Sequence, residues 1–264
     1  MKEFHWNQHD SNVWLDPLDA FLCTYLPSSP VNIFEIGVYK GGWCFNMLEN
    51  LKSCSYVGID PYPGLESVRQ EFLKRSEEID VKTRIDLFKS LDDFASHNLA
   101  NKRKFEMIHI DGEHSEFAVA RDLKFSSEIL TPDGVIVVDD IFKKEFPGIA
   151  SAVYSFIWTS TFVPFLYSRH KIYLCDVNFH ERYLSRAISL VESAQISYSS
   201  NFVLGTFGEG YFQSRDVKGF RNIGINSALK TIETSDIKIV IEHPSRKKVR
   251  SLVSKIIKAT FRIS

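Results

Sequence analysis

Two acidic runs stand at the ends of apolar stretches, where carboxylates can be presented together. Phe105 to Ile110 leads into Asp111, Gly112, Glu113, His114 and Ser115, and Val135 to Val138 leads into Asp139 and Asp140. Carboxylates gathered in one place repel unless a proton or a cation separates them, and hard oxygen donors suit Mg²⁺, Mn²⁺ or Ca²⁺. Asp111, Asp139 and Asp140 are therefore candidate metal ligands, with magnesium the ion expected, and His114 beside them is a candidate general base. Plainer roles stand next to these. Asp139 and Asp140 would cap a loop, Asp111 would open an Asp-Gly turn, and His114 would be a metal ligand or cap a helix starting near Ser115. His109, between Ile108 and Ile110, reads as a packed or half-buried strand histidine, and His170 as a solvated one.

The elements that must position these groups follow from hydrophobic periodicity. Short β-branched runs at Asn32 to Val38, Tyr56 to Asp60, Thr83 to Phe88, Met107 to Asp111 and Val135 to Asp139 predict five parallel strands. Helical spacing predicts helices at Trp14 to Tyr25, Trp43 to Leu51, Leu65 to Ser76, Phe117 to Leu130, Pro147 to Trp158 and Arg182 to Ala194. Phe162 to Tyr167 and Lys171 to Cys175 are too close together for a crossover helix and predict an antiparallel hairpin at the sheet edge. Ser197 to Gly224 reads as loop, with a further strand at Ile237 to Ile241. The fold class expected is α/β, a Rossmann-like doubly wound sheet, mainly parallel, with an antiparallel edge hairpin and a C-terminal extension. The divisions are 1–30 (capping helix), 31–176 (main domain) and 177–264 (extension).

Open α/β sheets bind ligands at the carboxyl ends of their strands. At the first such end, Glu35, Ile36, Gly37, Val38, Tyr39, Lys40, Gly41 and Gly42 form a glycine turn between strand and helix. Its spacing is not the dinucleotide GxGxxG, and it lacks the GK[ST] of a phosphate loop. Asp60 ends the second strand, where a carboxylate can accept from both ribose hydroxyls of a nucleoside. Pro61 and Tyr62 follow, Tyr62 either as a flat ring against a base or as an exposed residue of a proline turn.

The run Glu35, Gly37, Gly41 resembles the E/D-x-G-x-x-x-G motif of class I S-adenosylmethionine (SAM) dependent methyltransferases. The Ile-Asp-Gly-Glu-His stretch and Val-Val-Asp-Asp resemble a branch of that class containing divalent-metal-dependent O-methyltransferases, in which Asp111, Asp139 and Asp140 are the matching positions. The resemblance covers roughly residues 31–176. It implies a SAM site at Glu35, Gly37, Gly41, Asp60, Tyr62, Ser90 and Asp111, with Ser90 at the adenine edge, and a catalytic role for His114 and Asp111. The expected reaction is metal-assisted O-methylation of a sugar or natural-product hydroxyl. Two alternatives remain: a non-catalytic SAM-fold scaffolding module in saccharide assembly, or a hydroxylase-like enzyme on the same fold.

With 264 residues, 44% hydrophobic content and a net charge of -1, the chain suits one α/β domain with an appendage and gives no general sign of a nucleic-acid partner. Cys23, Cys44, Cys54 and Cys175 lack zinc-like spacing and suit a reducing cytoplasm. Neither a secretion signal nor a membrane span is expected. From Glu242 onward Arg246, Lys247, Lys248, Arg250, Lys255, Lys258 and Arg262 face one acid, and Val249, Leu252, Val253, Ile256 and Ile257 share a helical face. A helix from Ser245 would pack on the domain or in a homo-oligomer, or lie on an anionic membrane surface.

Overall fold

The computed structural model describes residues 2–7, 17–27, 32–168, 170–198, 217–220, 222–224 and 237–242. The basic helix expected from Ser245, the start of the first helix at Trp14 and most of the loop expected at Ser197 to Gly224 fall outside these.

Eleven strands and seven α-helices are found among the described residues. Strands β1 (Lys2–Asn7), β2 (Asn32–Ile36), β3 (Ser55–Ile59), β4 (Ile85–Phe88), β5 (Phe105–Ile110) and β6 (Leu130–Val138) alternate with helices α1 (Pro17–Tyr25), α2 (Gly42–Asn50), α3 (Glu66–Glu78), α4 (Leu91–Asn101) and α5 (Glu116–Ile129). Then come α6 (Pro147–Thr159), β7 (Phe162–Tyr167), β8 (Ile172–Asp176), α7 (His180–Ser193), β9 (Ala194–Tyr198), β10 (Ile223–Gly224) and β11 (Ile237–Glu242).

The main sheet has the order β10-β7-β8-β6-β5-β2-β3-β4. Strands β2 to β6 run parallel, and β8 is antiparallel to both β6 and β7, so the Rossmann-like sheet and its edge hairpin are as the periodicity predicts. A second, parallel sheet of order β1-β11-β9 lies outside what the periodicity predicts, and Ser197 and Tyr198, expected in a loop, belong to its strand β9.

Both faces of the main sheet are covered, which is why its central strands are mostly apolar rather than alternating. Phe21, Phe45, Phe72, Tyr173 and Tyr183 pack on one face, and Phe94, Leu123, Ile149, Val153 and Ile157 on the other. Each such side chain taken out of water contributes about 1.5–3 kcal/mol before conformational entropy is counted. All four cysteines are free and buried. Among the described residues, no helix is long and apolar enough to cross a membrane.

One backbone detail places the loops. Gly37 N–H donates to Ile59 O, Asp60 N–H to Phe88 O, Asp111 N–H to Ile36 O and Asp139 N–H to Ile110 O, at 2.8–3.0 Å. Each ladder thus runs one residue past its strand, and these four residues stand in line along the carboxyl edge.

Candidate functional site

A cleft of about 870 Å³ opens along that edge, lined among others by Gly37, Asp60, Ser90, Asp111, His114 and Asp140. Gly37 has φ +87° and Gly41 φ +77°, a region that side chains disfavour. The space matters as much as the torsion. A Cβ on Gly37 would overlap the Asp111 carbonyl and lie 2.8 Å from Gly112 Cα, and one on Gly41 would meet the Phe72 ring at 2.5 Å. Gly37 therefore lets the first loop cross directly against the loop that carries Asp111.

Asp60 folds this loop into shape. Its Oδ2 accepts from the Val38 and Tyr39 N–H groups at 3.1 and 2.8 Å, and its Oδ1 accepts from Tyr62 N–H at 2.8 Å. A carboxylate so held is fixed in orientation and keeps lone pairs for a ligand hydroxyl. Tyr62 is not brought to the cleft: its ring is buried in the core and its hydroxyl donates to Tyr39 O at 2.9 Å. The half-exposed Tyr39 lines the cleft instead. Ser90 is at the cleft and caps α4, its Oγ accepting from Asp93 N–H at 3.1 Å.

Glu35 is 3% exposed, with both oxygens engaged. Oε2 accepts from the Tyr56 hydroxyl, and Oε1 lies 3.0 Å from His109 Nδ1. His109 is fully packed, as its place in the strand suggests, and its ring stacks on Trp43 at 4.7 Å and 15°. Its Nε2 faces Lys171 Nζ at 3.0 Å. An ammonium can only donate, so this nitrogen accepts, and the ring proton sits on Nδ1 facing Glu35. Lys171 also donates to Asp139, an ion pair buried at the cleft floor. Burial alone would push the Asp139 carboxyl up, but the Lys171 ammonium, by its charge and hydrogen bond, holds it well below the usual carboxylate range.

The three candidate metal ligands are therefore not one equivalent set. Asp139 turns toward Lys171, whereas Asp140, at φ +58°, turns toward Asp111 and His114. His114 Nε2 lies 3.5 Å from Asp111 Oδ1 and 3.7 Å from Asp140 Oδ2, its ring tilted on Phe146 at 4.3 Å. Lys143 donates to Asp140 Oδ2 at 2.6 Å. The hydrogen bond to Asp111 raises the His114 pKa, burial opposes it, and the Asp111 and Asp140 charges add to the rise. Burial and the neighbouring Asp139 raise the Asp140 carboxyl, against the pull of Lys143.

Sequence reasoning misses Lys171, Lys143 and the role of His109 as a link. The available signal is Lys171 itself, a lysine opening an apolar strand beside the one that ends in Asp139. His170, expected to be solvated, is half-buried, and its carbonyl accepts from Ile141 N–H at 3.0 Å.

Comparison with known proteins adds a domain type and a fold. A family model described as a methyltransferase domain matches residues 34–141. No curated protein matches the chain by sequence. Among solved structures, the O-methyltransferase TomG from Streptomyces achromogenes, involved in tomaymycin synthesis and bound to SAM, is 14% identical with a TM-score of 0.51, over 63% of this chain and 82% of its own. An O-methyltransferase from Bacillus cereus in complex with SAH is 14% identical, TM-score 0.50, over 65% and 84%. CalS11, a TDP-rhamnose 3'-O-methyltransferase of calicheamicin biosynthesis, is 17% identical, TM-score 0.50, over 61% and 78%. At these identities the likeness is one of fold.

Proposed function

From the match of residues 34–141 to a family model described as a methyltransferase domain, we propose that this chain is a SAM-dependent O-methyltransferase whose reaction centre lies between Asp60 and Asp140. The observation that carries the reading is the shared cleft: the Gly37 loop, held by Asp60, and the Asp111, His114 and Asp140 group open onto the same space. When bound there, SAM supplies a sulfonium methyl that an oxygen nucleophile takes in line, with a neutral thioether leaving.

The residues present fit a divalent cation at Asp111 and Asp140. Ligand atoms of Asp111, His114 and Asp140 lie within 4.8 Å of one another, and Mg²⁺ is commonly held by one or two carboxylates with waters completing its shell. A cation so placed supplies Lewis acidity that lowers the pKa of an acceptor hydroxyl. The chain's own groups do the rest. Asp60 and the Gly37 loop orient the nucleoside, and Asp111 and Asp140 place the acceptor oxygen. His114 Nε2, between those two carboxylates, receives its proton. Lys143, 28% exposed, has room to swing off Asp140.

The acceptor class is a hydroxyl on a sugar or natural-product scaffold. TomG and CalS11, whose fold the chain shares, belong to natural-product pathways, and CalS11 acts on a nucleotide-linked sugar. The test is titration calorimetry with SAM, with Mg²⁺ or EDTA, followed by transfer of labelled methyl to a panel of glycosides and phenols. Transfer that needs Mg²⁺ and is lost in Asp111→Ala supports the reading. Transfer untouched by EDTA and by Asp111→Ala refutes the metal-assisted step.

A further inference from the structure

We propose that Lys171 is the resident cation of Asp139 and withdraws this carboxylate from metal binding, so that a divalent ion in the cleft is held by Asp111 and Asp140 without it. This rests on the cation reading above, but its own ground is the geometry around Lys171.

Strand register sets the pair. Ile172 pairs with Val138 across the antiparallel β8–β6 ladder, which puts Lys171 beside Asp139. The backbone there is pinned on both sides: Lys171 N–H donates to Ser168 Oγ at 3.1 Å, Ser168 N–H donates to Lys171 O at 2.9 Å, and Ile141 N–H donates to His170 O. The Lys171 side chain is 1% exposed, so almost none of its ammonium is hydrated where it stands. Leaving Asp139 would strand an ammonium in a low-dielectric interior, a heavily unfavourable state.

Its other neighbour is equally committed. His109 Nε2 accepts from Lys171, His109 Nδ1 is directed to Glu35, Glu35 is bonded to Tyr56, and the imidazole is stacked against Trp43. The alternative donor set of His109, Asp111 and Asp139 fails for the same reason, because two of its three donors already face the ammonium. Lys143 differs. It approaches Asp140 from a loop, is partly in water, and can yield to an incoming ion.

The test is Mn²⁺ binding, read by the loss of the free-ion electron paramagnetic resonance signal. The variants are the wild type, Asp111→Asn, Lys171→Met and the charge-neutral double variant Asp139→Asn/Lys171→Met, with circular dichroism and a cooperative thermal melt confirming that each is folded. Lys171→Met frees a third carboxylate and is expected to bind Mn²⁺ at least about tenfold more tightly than the wild type. The double variant is expected to stay within about threefold of the wild type, and Asp111→Asn to lose roughly tenfold or more. The proposal is overturned if Lys171→Met leaves the affinity unchanged, or if the double variant loses Mn²⁺ as Asp111→Asn does. A wild type that binds no Mn²⁺ beside a Lys171→Met variant that does would remove the cation reading and support Lys171 as the resident charge. Folded variants of which none binds Mn²⁺ would overturn both.

Discussion

Gly37→Ala separates the two demands made on the first loop, because Gly64 offers a control with only one of them. Both glycines have positive φ, +87° and +69°. At Gly64 nothing lies within 4 Å of where an added methyl would sit, so Gly64→Ala meets only the left-handed torsion, about 1–2 kcal/mol. At Gly37 the methyl would in addition overlap the Asp111 carbonyl and crowd Gly112. That backbone cannot retreat freely, since Asp111 N–H is bonded to Ile36 O at 2.8 Å. Overpacking of this kind costs about 1–3 kcal/mol, which brings Gly37→Ala to about 2–5 kcal/mol out of a total stability of roughly 5–15 kcal/mol. Urea unfolding of both variants measures the difference, and SAH calorimetry on the folded fraction should show Gly37→Ala impaired and Gly64→Ala intact. Equal destabilisation of the two would refute the reasoning that Gly37 exists to let the loops cross.

Further outcomes follow from single contacts. Asp60→Asn replaces an oxygen that accepts backbone N–H with an amide that donates, so Val38 or Tyr62 loses a partner. Losing one charge-assisted bond of about 1.5–3 kcal/mol should weaken SAH binding by about ten- to a hundredfold and speed amide exchange either at Val38 and Tyr39 or at Tyr62, depending on which way the amide turns, and unchanged exchange at all three would contradict the loop-holding role. In metal-free protein His114 should titrate above the ordinary imidazole value of about 6.5, by NMR of its ring protons, and Asp111→Asn should bring it down. Because the folded value is raised, the stabilisation from His114 is full below about pH 6.5 and is lost as pH rises through the folded value, which thermal melts of His114→Gln against wild type will show. Asp122 is buried, its Oδ2 has no partner among the described residues, and burial raises its carboxyl against the pull of Arg121. Asp122→Asn should therefore melt no lower than wild type at pH 8, with its relative advantage shrinking as acidification protonates Asp122, and a lower melting point at pH 8 would show that the charged form is needed.

The parallel strands are legible in the sequence because burial on both faces favours short, mostly apolar runs rich in β-branched residues. The hairpin is legible because the stretch between Tyr167 and Ile172 is too short to hold a crossover helix. Helix α4 is not legible. Leu91–Asn101 shows few apolar residues, and Ser90, which the family resemblance assigns to a ligand contact, is the N-cap that starts the helix. Strands β1 and β9 escape notice because each is short, polar in part, and completed only by the distant β11. At the site, residue types at strand ends locate Asp60, Asp111 and Asp140, since strand ends are fixed by periodicity. Side-chain direction is hidden. That Asp139 turns to Lys171 while Asp140 turns to His114 depends on the antiparallel register and on the positive φ of Asp140.

Everything proposed for the cleft beside Asp60 depends on its binding SAM, and calorimetric titration of the folded chain with SAH reads that binding without any need to know the acceptor. Saturable uptake of one SAH per chain, weakened in Asp60→Asn, is the expected result. A folded chain that takes up no SAH would contradict it.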